Sequence, residues 1–399
     1  MNILLSVQNM GLGGVTTYVL HLASGLSKKH KVIIYDHNPY FFDPEFCNWL
    51  PENVSIESVK IHTFSDKLIW KVNAFVKKLG FSFSVWEYLK NLHFKKTLRK
   101  YQVELITSFD KFSDRIVVDL AGDKLPIVLS LHGSYDISEF NHIPEREIHS
   151  YEDIFRRVKA IIYKADCNIK ILENYSDLSN ILLIKKIFHG FTFNKPISDP
   201  QVLRKQLGIK ATTFVYGMIG RGVPEKGWKE ALEAFADLQE RSEKEIHFVA
   251  LGGSPYLSDL SIKFKNIPNI HFTGFVENNI EWINIFDVGL LPTYAKTENF
   301  TFSIVEYLYC GKPSVATNHG EISTTLDADG KKAGILIQLK NGRPDVLELS
   351  KAMQVYLDDE RIYREHSLLA PVALKKFESE KAISEYEEVF SLVLKRKDI

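Results

Sequence analysis

The chain alternates short apolar runs with longer segments of helical periodicity, and it does so in two successive series. In the first series, Asn2–Val7 is a predicted strand, Gly11–Gly14 a turn, and Val15–Leu26 a helix with apolar residues three or four positions apart. Further strands are predicted at Lys31–Asp36, Leu105–Ser108, Ile127–Leu131, Lys159–Tyr163 and Leu182–Ile187. Such alternation is typical of repeated β–α units built on a parallel sheet.

The second series follows a segment, 189–210, whose first part, HGFTFNKPISDP, carries a glycine, two prolines and polar residues between the series. Its strands are predicted at Thr213–Ile219, Ile246–Leu251, Ile270–Thr273, Val288–Leu291 and Ser314–Ala316, with a helix at Trp228–Leu238. A chain of 399 residues is too long for one ordinary core. The sequence therefore predicts two doubly wound α/β domains, 1–190 and 191–378, and a last helical segment within 379–399 that packs back on the first.

Several classes of protein are excluded by composition. Lys+Arg and Asp+Glu balance at 50 each, which argues against a nucleic-acid-binding protein. The three cysteines are far apart and form neither a disulfide framework nor a zinc knuckle, as expected in a reducing compartment. The start of the chain lacks the pattern of a cleavable leader, and no apolar run is long enough to span a bilayer. We expect a cytoplasmic protein whose membrane contact, if any, is peripheral and at the inner face.

The segment 67–101 is basic and aromatic, with nine Lys or Arg, one acid, and Trp, Phe and Tyr residues between them. Such a segment can lie on an anionic lipid surface, with its rings at the level of the headgroups. It can equally form ordinary amphipathic helices with a solvated basic face and a buried aromatic face. Both interpretations remain open at this point.

Glycines follow the first strand of each series. Gly13 and Gly14 open the first helix, where free backbone N–H groups and the helix dipole favour a phosphate. A purely structural turn, or a dehydrogenase that uses the downstream Asp36, is an alternative there. In the second series, Arg221 and Lys226 lie on the loop GRGVPEKG, where two cations can converge on a diphosphate.

Two glutamates in ENFTFSIVE are separated by seven residues. Glu298 precedes a predicted helix, Phe302–Gly311, and Glu306 lies inside it. A nucleotide diphosphate over the helix start would meet the N–H groups of Phe302 and Ser303, while Glu306 accepts from ribose hydroxyls and Glu298 from sugar hydroxyls. Ser303 and Glu306 also have the spacing of a capping box, which is the structural alternative.

Two further features are single residues or pairs. His132 follows a strand of the first series and thus lies at the edge of the sheet that binds ligands in such folds. A lone histidine is more often structural. Asp327 and Asp329 suggest a metal site, but they lie in a predicted turn without a matching ligand cluster, so no metal site is expected.

Taken together, these residues resemble those of the retaining glycosyltransferases of family 4, the glycosyl transferases group 1. The resemblance extends over most of the chain and is strongest from Phe214 to Ile337. GMIGRGVPEKG is similar to the family's phosphate-binding element, HFTGFVENN to its base-binding segment, and ENFTFSIVE to its pair of glutamates seven residues apart. His132 and the first glycine turn also match positions of the family pattern.

The resemblance implies the GT-B fold, in which two Rossmann-like domains face each other across a donor-binding cleft. It implies catalytic roles for Glu298, His132, Arg221 and Lys226. Donor contacts are implied for Gly13, Gly14, Arg221, Lys226, Phe275, Val276, Phe302, Ser303 and Glu306. No metal or other cofactor is implied. Asn299 and Thr301 depart from the family by standing where glycines are common, and the family's G-G-I-P-E acid is replaced or displaced to Glu321.

The expected function is metal-independent transfer, with retained anomeric configuration, from a nucleotide diphosphate sugar to a glycan or lipid-linked glycan acceptor. UDP is the favoured nucleotide, and surface polysaccharide or lipopolysaccharide biosynthesis the favoured setting. A nucleotide-sugar 2-epimerase on the same fold is an alternative, which would turn over the donor without an acceptor. A non-catalytic sugar-nucleotide-binding subunit is another, suggested by the substituted glycines.

Overall fold

The structure is a computed structural model of the chain. It describes residues 1–395 except 12–13, 43, 45–46, 60–70, 73, 75–77, 79–83, 123, 133–144, 176–177, 194–198, 296–297 and 299–300, and only the backbone of 41, 145–150 and 174. The chain divides into two units. The first comprises Met1–Phe191 and Glu378–Ile399, and the second comprises Thr192–Phe377. Each boundary lies one residue from the position that the sequence predicts.

The first unit contains a parallel sheet of seven strands in the order β3-β2-β1-β4-β5-β6-β7. The strands are β1 (Asn2–Val7), β2 (Lys31–Asp36), β3 (Val54–Ser58), β4 (Leu105–Ser108), β5 (Ile127–Leu131), β6 (Ala160–Tyr163) and β7 (Leu183–Lys186). The helices are α1 (Gly14–Leu26), α2 (Val85–Lys100), α3 (Lys111–Ala121), α4 (Glu145–Arg157) and, from the end of the chain, α13 (Ser379–Lys395).

Both faces of this sheet are buried, as expected for parallel strands joined by helices. Ile3 and Leu5 of β1 pack on one face with residues of α1 and α13, whereas Leu4 packs on the other face with residues of α2, α3 and α4. The contact of α13 with α1 is close, because a Cβ added at Gly25 would lie 2.0 Å from the Ile383 side chain. The last helix is therefore a structural part of the first unit.

The second unit contains a parallel sheet of six strands in the order β10-β9-β8-β11-β12-β15. They are β8 (Phe214–Ile219), β9 (Ile246–Leu251), β10 (Ile270–Gly274), β11 (Val288–Leu291), β12 (Ser314–Thr317) and β15 (Gly334–Ile337). Two hairpins pair β13 (Asp327–Ala328) with β14 (Lys331–Lys332), and β16 (Leu339–Lys340) with β17 (Arg343–Pro344). The helices are α5 (Pro200–Gln206), α6 (Trp228–Arg241), α7 (Pro255–Lys263), α8 (Asn279–Ile283), α9 (Phe302–Tyr309), α10 (Ile322–Thr325), α11 (Val346–Asp358) and α12 (Glu360–Leu374).

Glycines inside two central strands let large aromatic rings lie directly on the second sheet. A Cβ added at Gly217 would lie 2.3 Å from the ring of Phe286, and one added at Gly289 would lie 2.3 Å from the ring of Tyr307. Tyr307 is fully buried, so its hydroxyl needs hydrogen-bond partners inside the unit. The backbone of β8 and β11 supplies them, which ties α9 to the centre of the sheet.

The doubly wound α/β architecture predicted from the sequence is confirmed in both units. Two strands of the large sheets, β3 and β15, and the four short hairpin strands were not predicted, and α9 ends at Tyr309 rather than at Gly311. The pair Asp327 and Asp329 lies at a hairpin, where Asp327 is bound to Lys332 at 2.9 Å. In the part of the chain that the structure describes, no helix is both long enough and apolar enough to cross a membrane.

Candidate functional site

The candidate site lies at the carboxyl edge of the second sheet, where the strand order reverses. After β8 the chain adds β9 and β10 on one side, and then β11, β12 and β15 on the other. In open α/β sheets, ligands bind outside the carboxyl ends of the strands at this switch point. Functional side chains are therefore expected on the loops that follow β8 and β11.

The loop after β8 is held by hydrogen bonds of its backbone. Trp228 Nε1 donates to the carbonyl of Arg221 at 2.9 Å, and Gly220 N donates to the carbonyl of Leu251 at 3.3 Å. Gly222 approaches Ser254 so closely that an added Cβ would lie 2.1 Å from its Oγ. The Arg221 side chain is exposed on this anchored loop. A fixed backbone with an exposed guanidinium is suited to an anionic ligand.

Lys226 forms an ion pair with Glu298, 72 residues further along the chain. Its Nζ lies 2.6 Å from Glu298 Oε2, and the two side chains are 15% and 4% exposed. Thr293 Oγ1 is 2.8 Å from the same carboxylate oxygen. The sequence predicts that Lys226 contacts a diphosphate and that Glu298 contacts a sugar, as two separate contacts. The structure brings the two side chains together in one ion pair.

The loops after β8, β11 and β12 are joined to one another around this pair. The backbone N of Tyr294 donates to the carbonyl of Glu225 at 2.9 Å. His319 Nε2 lies 2.8 Å from the carbonyl of Ala295. Gly320, at φ +54°, passes so near Glu298 that an added Cβ would lie 2.0 Å from its carbonyl oxygen. Glu298 is therefore held from both sides, and its position depends on all three loops.

The start of α9 adjoins the end of β8. Ser303 Oγ donates to the carbonyl of Ile219 at 2.9 Å, and Tyr307 OH accepts from Ile219 N at 2.9 Å. Because the helix begins at Phe302, Ser303 is not its N-cap and the capping-box alternative is wrong. The N-cap is Thr301, whose side chain forms no cap bond and whose buried Oγ1 has no hydrogen-bond partner among the described residues.

Glu306 lies on α9 and accepts a hydrogen bond from Asn279 Nδ2 at 3.0 Å. Burial raises the pKa of Glu306 to about 7, although the bond from Asn279 opposes that shift. A carboxylate that has lost most of its water and has one amide partner retains acceptor capacity for hydroxyl donors. The structure thus keeps Glu306 available for the ribose contact that the sequence suggests.

The raised pKa of Glu306 predicts a pH-dependent stability. From about pH 4.5 to about pH 7 the folded protein holds this proton more tightly than the unfolded chain, so its stabilising contribution is lost as pH rises through that window. Glu306→Gln keeps an acceptor for Asn279 without the ionisation. We expect the variant to gain about 3 kcal/mol relative to wild type between pH 4 and pH 8. Urea unfolding at both pH values measures this difference.

The exposed Glu277 supplies the matched control for that experiment. Glu277→Gln removes the same charge from a solvated position, and we expect its stability relative to wild type to be the same at both pH values. A Glu306→Gln variant that also shows no pH-dependent gain would contradict the burial of an ionisable carboxyl at this position.

Phe275 and Val276 follow β10 at the same carboxyl edge. Phe275 is 82% exposed, unusual for a large apolar side chain, and its backbone lies against Gly253. Gly253 follows β9, the strand next to β10 in the sheet. A glycine after β9 thus lies beside an exposed aromatic ring after β10. An exposed aromatic ring can stack on a planar base. These residues therefore occupy a position compatible with the predicted base contact.

The residues predicted in the first unit are only partly described. Gly13 lies outside the described residues, while Gly14 begins α1. His132 follows β5, with Nε2 3.0 Å from Ser130 Oγ and its ring packed against those of Tyr18 and His189. Burial lowers the pKa of His132 well below its usual range, so the imidazole is neutral at pH 7. Asn299 also lies outside the described residues.

Several residues of these sites were not identified from the sequence. Thr293, Asn279 and His319 hold the glutamates and their loops in the second unit. In the first unit, the buried Lys164 directly follows the apolar strand AIIY, a signal that the sequence does carry. Glu321, which the sequence analysis did name as the position of the displaced acid, is buried at the start of α10. Within the described residues, no cluster of three or more His, Cys, Asp or Glu side chains has the geometry to hold a metal.

Comparison with known proteins gives a family for the second unit. Residues 199–367 match the family model described as Glycosyl transferases group 1. An N,N'-diacetylbacillosaminyl-diphospho-undecaprenol alpha-1,3-N-acetylgalactosaminyltransferase of Campylobacter jejuni is 27% identical over 221 residues, which are 53% of this chain and 54% of that protein. A putative teichuronic acid biosynthesis glycosyltransferase, TuaC, of Bacillus subtilis is 27% identical over 225 residues, 55% of this chain and 53% of that protein. The chain thus spans about half the length of these curated relatives.

Solved structures share the fold over nearly the whole chain. Anabaena Alr3699/HepE in complex with UDP has a TM-score of 0.73 at 19% identity, covering 98% of this chain and 100% of that one. WaaG, a glycosyltransferase involved in lipopolysaccharide biosynthesis, has a TM-score of 0.62 at 14% identity, covering 97% and 99%. These likenesses concern the fold alone. With its two doubly wound units the chain has the GT-B fold, and residues 199–367 of its second unit match the glycosyl transferases group 1 model.

Proposed function

We propose that the chain is a retaining, metal-independent glycosyltransferase that moves a sugar from a nucleotide diphosphate sugar, a UDP-sugar, to a glycan or lipid-linked glycan acceptor. The observation that carries this proposal is the ion pair of Lys226 with Glu298 at the switch point of the second sheet. The pair offers a cation for phosphate and a carboxylate for sugar hydroxyls within one contact. The names of the relatives from Campylobacter and Bacillus support a setting in bacterial glycan synthesis.

In the proposed reaction, the bond between the sugar's anomeric carbon and the diphosphate oxygen breaks. The acceptor hydroxyl oxygen bonds to that carbon on the same face, and its proton passes to the departing phosphate oxygen. The protein orients the reactants and stabilises the charge that develops on the diphosphate. Arg221, Lys226 and the N–H groups at the start of α9 supply this stabilisation without a metal ion.

The other residues of the proposed site fix the donor. Glu298 accepts from the sugar hydroxyls, Glu306 from the ribose hydroxyls, and Phe275 with Val276 adjoins the base. In the first unit we propose Gly13 and Gly14 as a backbone contact for the donor. His132 is proposed to donate a hydrogen bond from its neutral imidazole to a sugar hydroxyl or a phosphate oxygen.

A transfer assay over UDP-, GDP- and ADP-sugars, with and without lipid-linked glycan acceptors, tests this function. We expect consumption of a UDP-sugar that depends on the acceptor, a product of retained anomeric configuration by NMR, and undiminished activity in EDTA. Donor isomerisation without an acceptor would establish an epimerase instead. Calorimetric nucleotide binding without any turnover would establish a binding subunit, and a strict Mg²⁺ requirement would refute the metal-independent part.

We also propose that α2 places the first unit on an anionic membrane surface, on the cytoplasmic side where lipid-linked acceptors would be reached. On the described part of the segment 67–101, Tyr88, Leu92, Lys95 and Arg99 are exposed and lie on one helical stripe, with Lys96 beside it. Phe94, in contrast, is buried in the core. Exposed apolar residues followed by cations along one stripe are typical of an interfacial helix.

Neutralising the cations of this stripe is expected to weaken membrane binding. Each basic residue near an anionic surface contributes about 1 kcal/mol, so Lys95→Gln/Lys96→Gln/Arg99→Gln should reduce partitioning onto phosphatidylglycerol vesicles roughly 100-fold. Sedimentation with vesicles measures the change. The control Lys263→Gln/Lys265→Gln/Lys351→Gln removes the same charge from exposed positions of the second unit. An equal loss in the control, or no sedimentation of the wild type, would refute this contact.

A further inference from the structure

A pocket of 440 Å³ lies on the first unit between the carboxyl-terminal ends of α2 and α3. Its volume is within the range of sites that hold small molecules. The apolar part of its lining consists of Leu98, Val103, Leu120, Ala121 and Leu125. The charged part consists of Lys95, Arg99, Lys124 and Asp119. The pocket thus combines a hydrocarbon wall with a group of cations, and the proposed transfer uses none of these residues.

The three cations of the pocket have no acidic partner among the described residues. Asp119 is the one acid in the described lining, and its carboxylate already binds Arg115 at 2.8 Å. Within the part of the chain that the structure describes, the exposed side chains of Lys95, Arg99 and Lys124 form no ion pair or hydrogen bond. Three like charges around one pocket repel one another, and an anion placed among them relieves that repulsion.

The pocket lies at the amino edge of the first sheet, because its residues precede β4 and β5 in the chain. His132 follows β5 and therefore lies at the opposite, carboxyl edge. A strand of five residues spans about 16 Å, so a ligand in the pocket is remote from His132. Such a ligand is not a reactant of the proposed transfer.

The position and the lining of the pocket favour a lipid as its occupant. Lys95 and Arg99 also belong to the exposed stripe of α2, so the pocket adjoins the surface that we propose to lie on an anionic membrane. A free phosphate ion would meet the cations but leave the half-buried Leu98, Leu120 and Leu125 in contact with water. A phospholipid meets both parts of the lining, because its phosphate is joined to hydrocarbon chains.

We infer that this pocket binds one anionic phospholipid of the membrane. The phosphate lies among Lys95, Arg99 and Lys124, and the first part of the chains lies against the leucines. The inference rests on the proposed membrane contact of α2 and adds to it a site for a single lipid molecule. Lys124 distinguishes the two, because it follows α3 and lies outside the stripe of α2.

Titration calorimetry of the full chain with dihexanoyl phosphatidylglycerol, kept monomeric below its critical micelle concentration, tests the pocket without a membrane. We expect saturable binding of one lipid per chain. Dihexanoyl phosphatidylcholine has the same chains without a net charge, and glycerol phosphate has the anion without the chains. Each of these two compounds should bind roughly 10-fold more weakly or worse, because each meets only one part of the lining.

Lys124→Gln is expected to weaken the binding of dihexanoyl phosphatidylglycerol about 5-fold, the effect of one basic residue at an anionic lipid. Lys28→Gln is the matched control. Lys28 is an exposed lysine between α1 and β2, at the amino edge of the same sheet, and does not line the pocket. Its replacement should leave lipid binding unchanged, and both variants should retain wild-type transfer to a soluble acceptor.

Equal affinity for glycerol phosphate would mean an anion site without a lipid, and equal affinity for phosphatidylcholine would mean that the cations do not select the ligand. Either result, or equal losses in Lys124→Gln and Lys28→Gln, would overturn the inference. A wild type that sediments with vesicles but does not bind the monomeric lipid would keep the contact of α2 and refute the pocket. No sedimentation of the wild type would refute the membrane as the source of the lipid. The donor site of the second unit is tested separately, by the transfer assay.

Discussion

Replacing Arg221 by alanine is expected to lower kcat/KM for transfer by roughly 30- to 1,000-fold, which corresponds to about 2–4 kcal/mol of barrier. The reason is that charge develops on the diphosphate as the bond to the sugar breaks, and Arg221 is an exposed guanidinium on an anchored loop. Initial rates of UDP-sugar transfer measure the effect. Lys229→Ala, an exposed cation on the adjoining α6, should retain wild-type turnover.

Lys226→Ala is expected to lose a similar amount of transition-state stabilisation and, in addition, to destabilise the fold. Removing Lys226 leaves Glu298, 4% exposed, without its cation, and breaking a buried pair from one side is costly. Lys226→Met/Glu298→Gln removes both charges together and should recover most of the stability but none of the activity. Near-wild-type turnover of either Arg221→Ala or Lys226→Ala would contradict the proposal that these two cations stabilise the charge on the diphosphate.

Gly227→Ala is expected to cost about 3–5 kcal/mol of unfolding free energy, the range of severe single substitutions. Gly227 has φ +80°, where an alanine is disfavoured by about 1–2 kcal/mol. An added Cβ would also lie 2.0 Å from the carbonyl oxygen of Pro292, so the loops after β8 and β11 would have to separate. Because those loops carry Lys226 and Glu298, the folded fraction should lose transfer activity too. Urea unfolding measures the free energy.

Gly208→Ala is the control that separates the backbone cost from the cost of the contact with Pro292. It has a similar φ of +70°, but an added Cβ would meet nothing within 4 Å. Gly208→Ala should therefore show only the backbone cost, about 1–2 kcal/mol, and keep its activity. Equal losses of stability in the two variants would mean that the contact with Pro292 is unimportant.

The part of the fold that could be predicted from the sequence is its buried parallel strands, because such strands are continuous apolar runs. The predicted bounds of β1, β2, β9 and β11 are those of the structure, because each is a run of apolar residues between turns. β3 was missed because Val54–Ser58 is an edge strand that is only half-buried along its length, so its sequence is mixed. The short apolar run of β15, GILI, was not distinguished from a loop.

The contacts within the candidate site could not be predicted in the same way. The sequence predicts functional roles for Lys226 and Glu298, but their pairing across 72 residues depends on the neighbouring positions of β8 and β11 in the sheet. Ser303 and Glu306 matched a local capping pattern, and only the register of α9 shows that Ser303 is bonded to β8 instead. The contact of Lys164 with Tyr386 could not be inferred, because nothing local indicates that the two residues would lie side by side.

The chain leaves the first unit after Phe191 and returns to it at Glu378, where the two segments pair as a β-bridge. During synthesis, the second unit can fold as soon as it emerges, whereas the first must wait for its last helix. At about 5–20 residues per second, that delay is roughly 10–40 seconds. Throughout this interval the face of β1 and α1 that α13 covers is exposed to solvent. Chaperones in the cell should therefore bind chiefly to the first unit. Truncation before residue 379 should make that binding permanent.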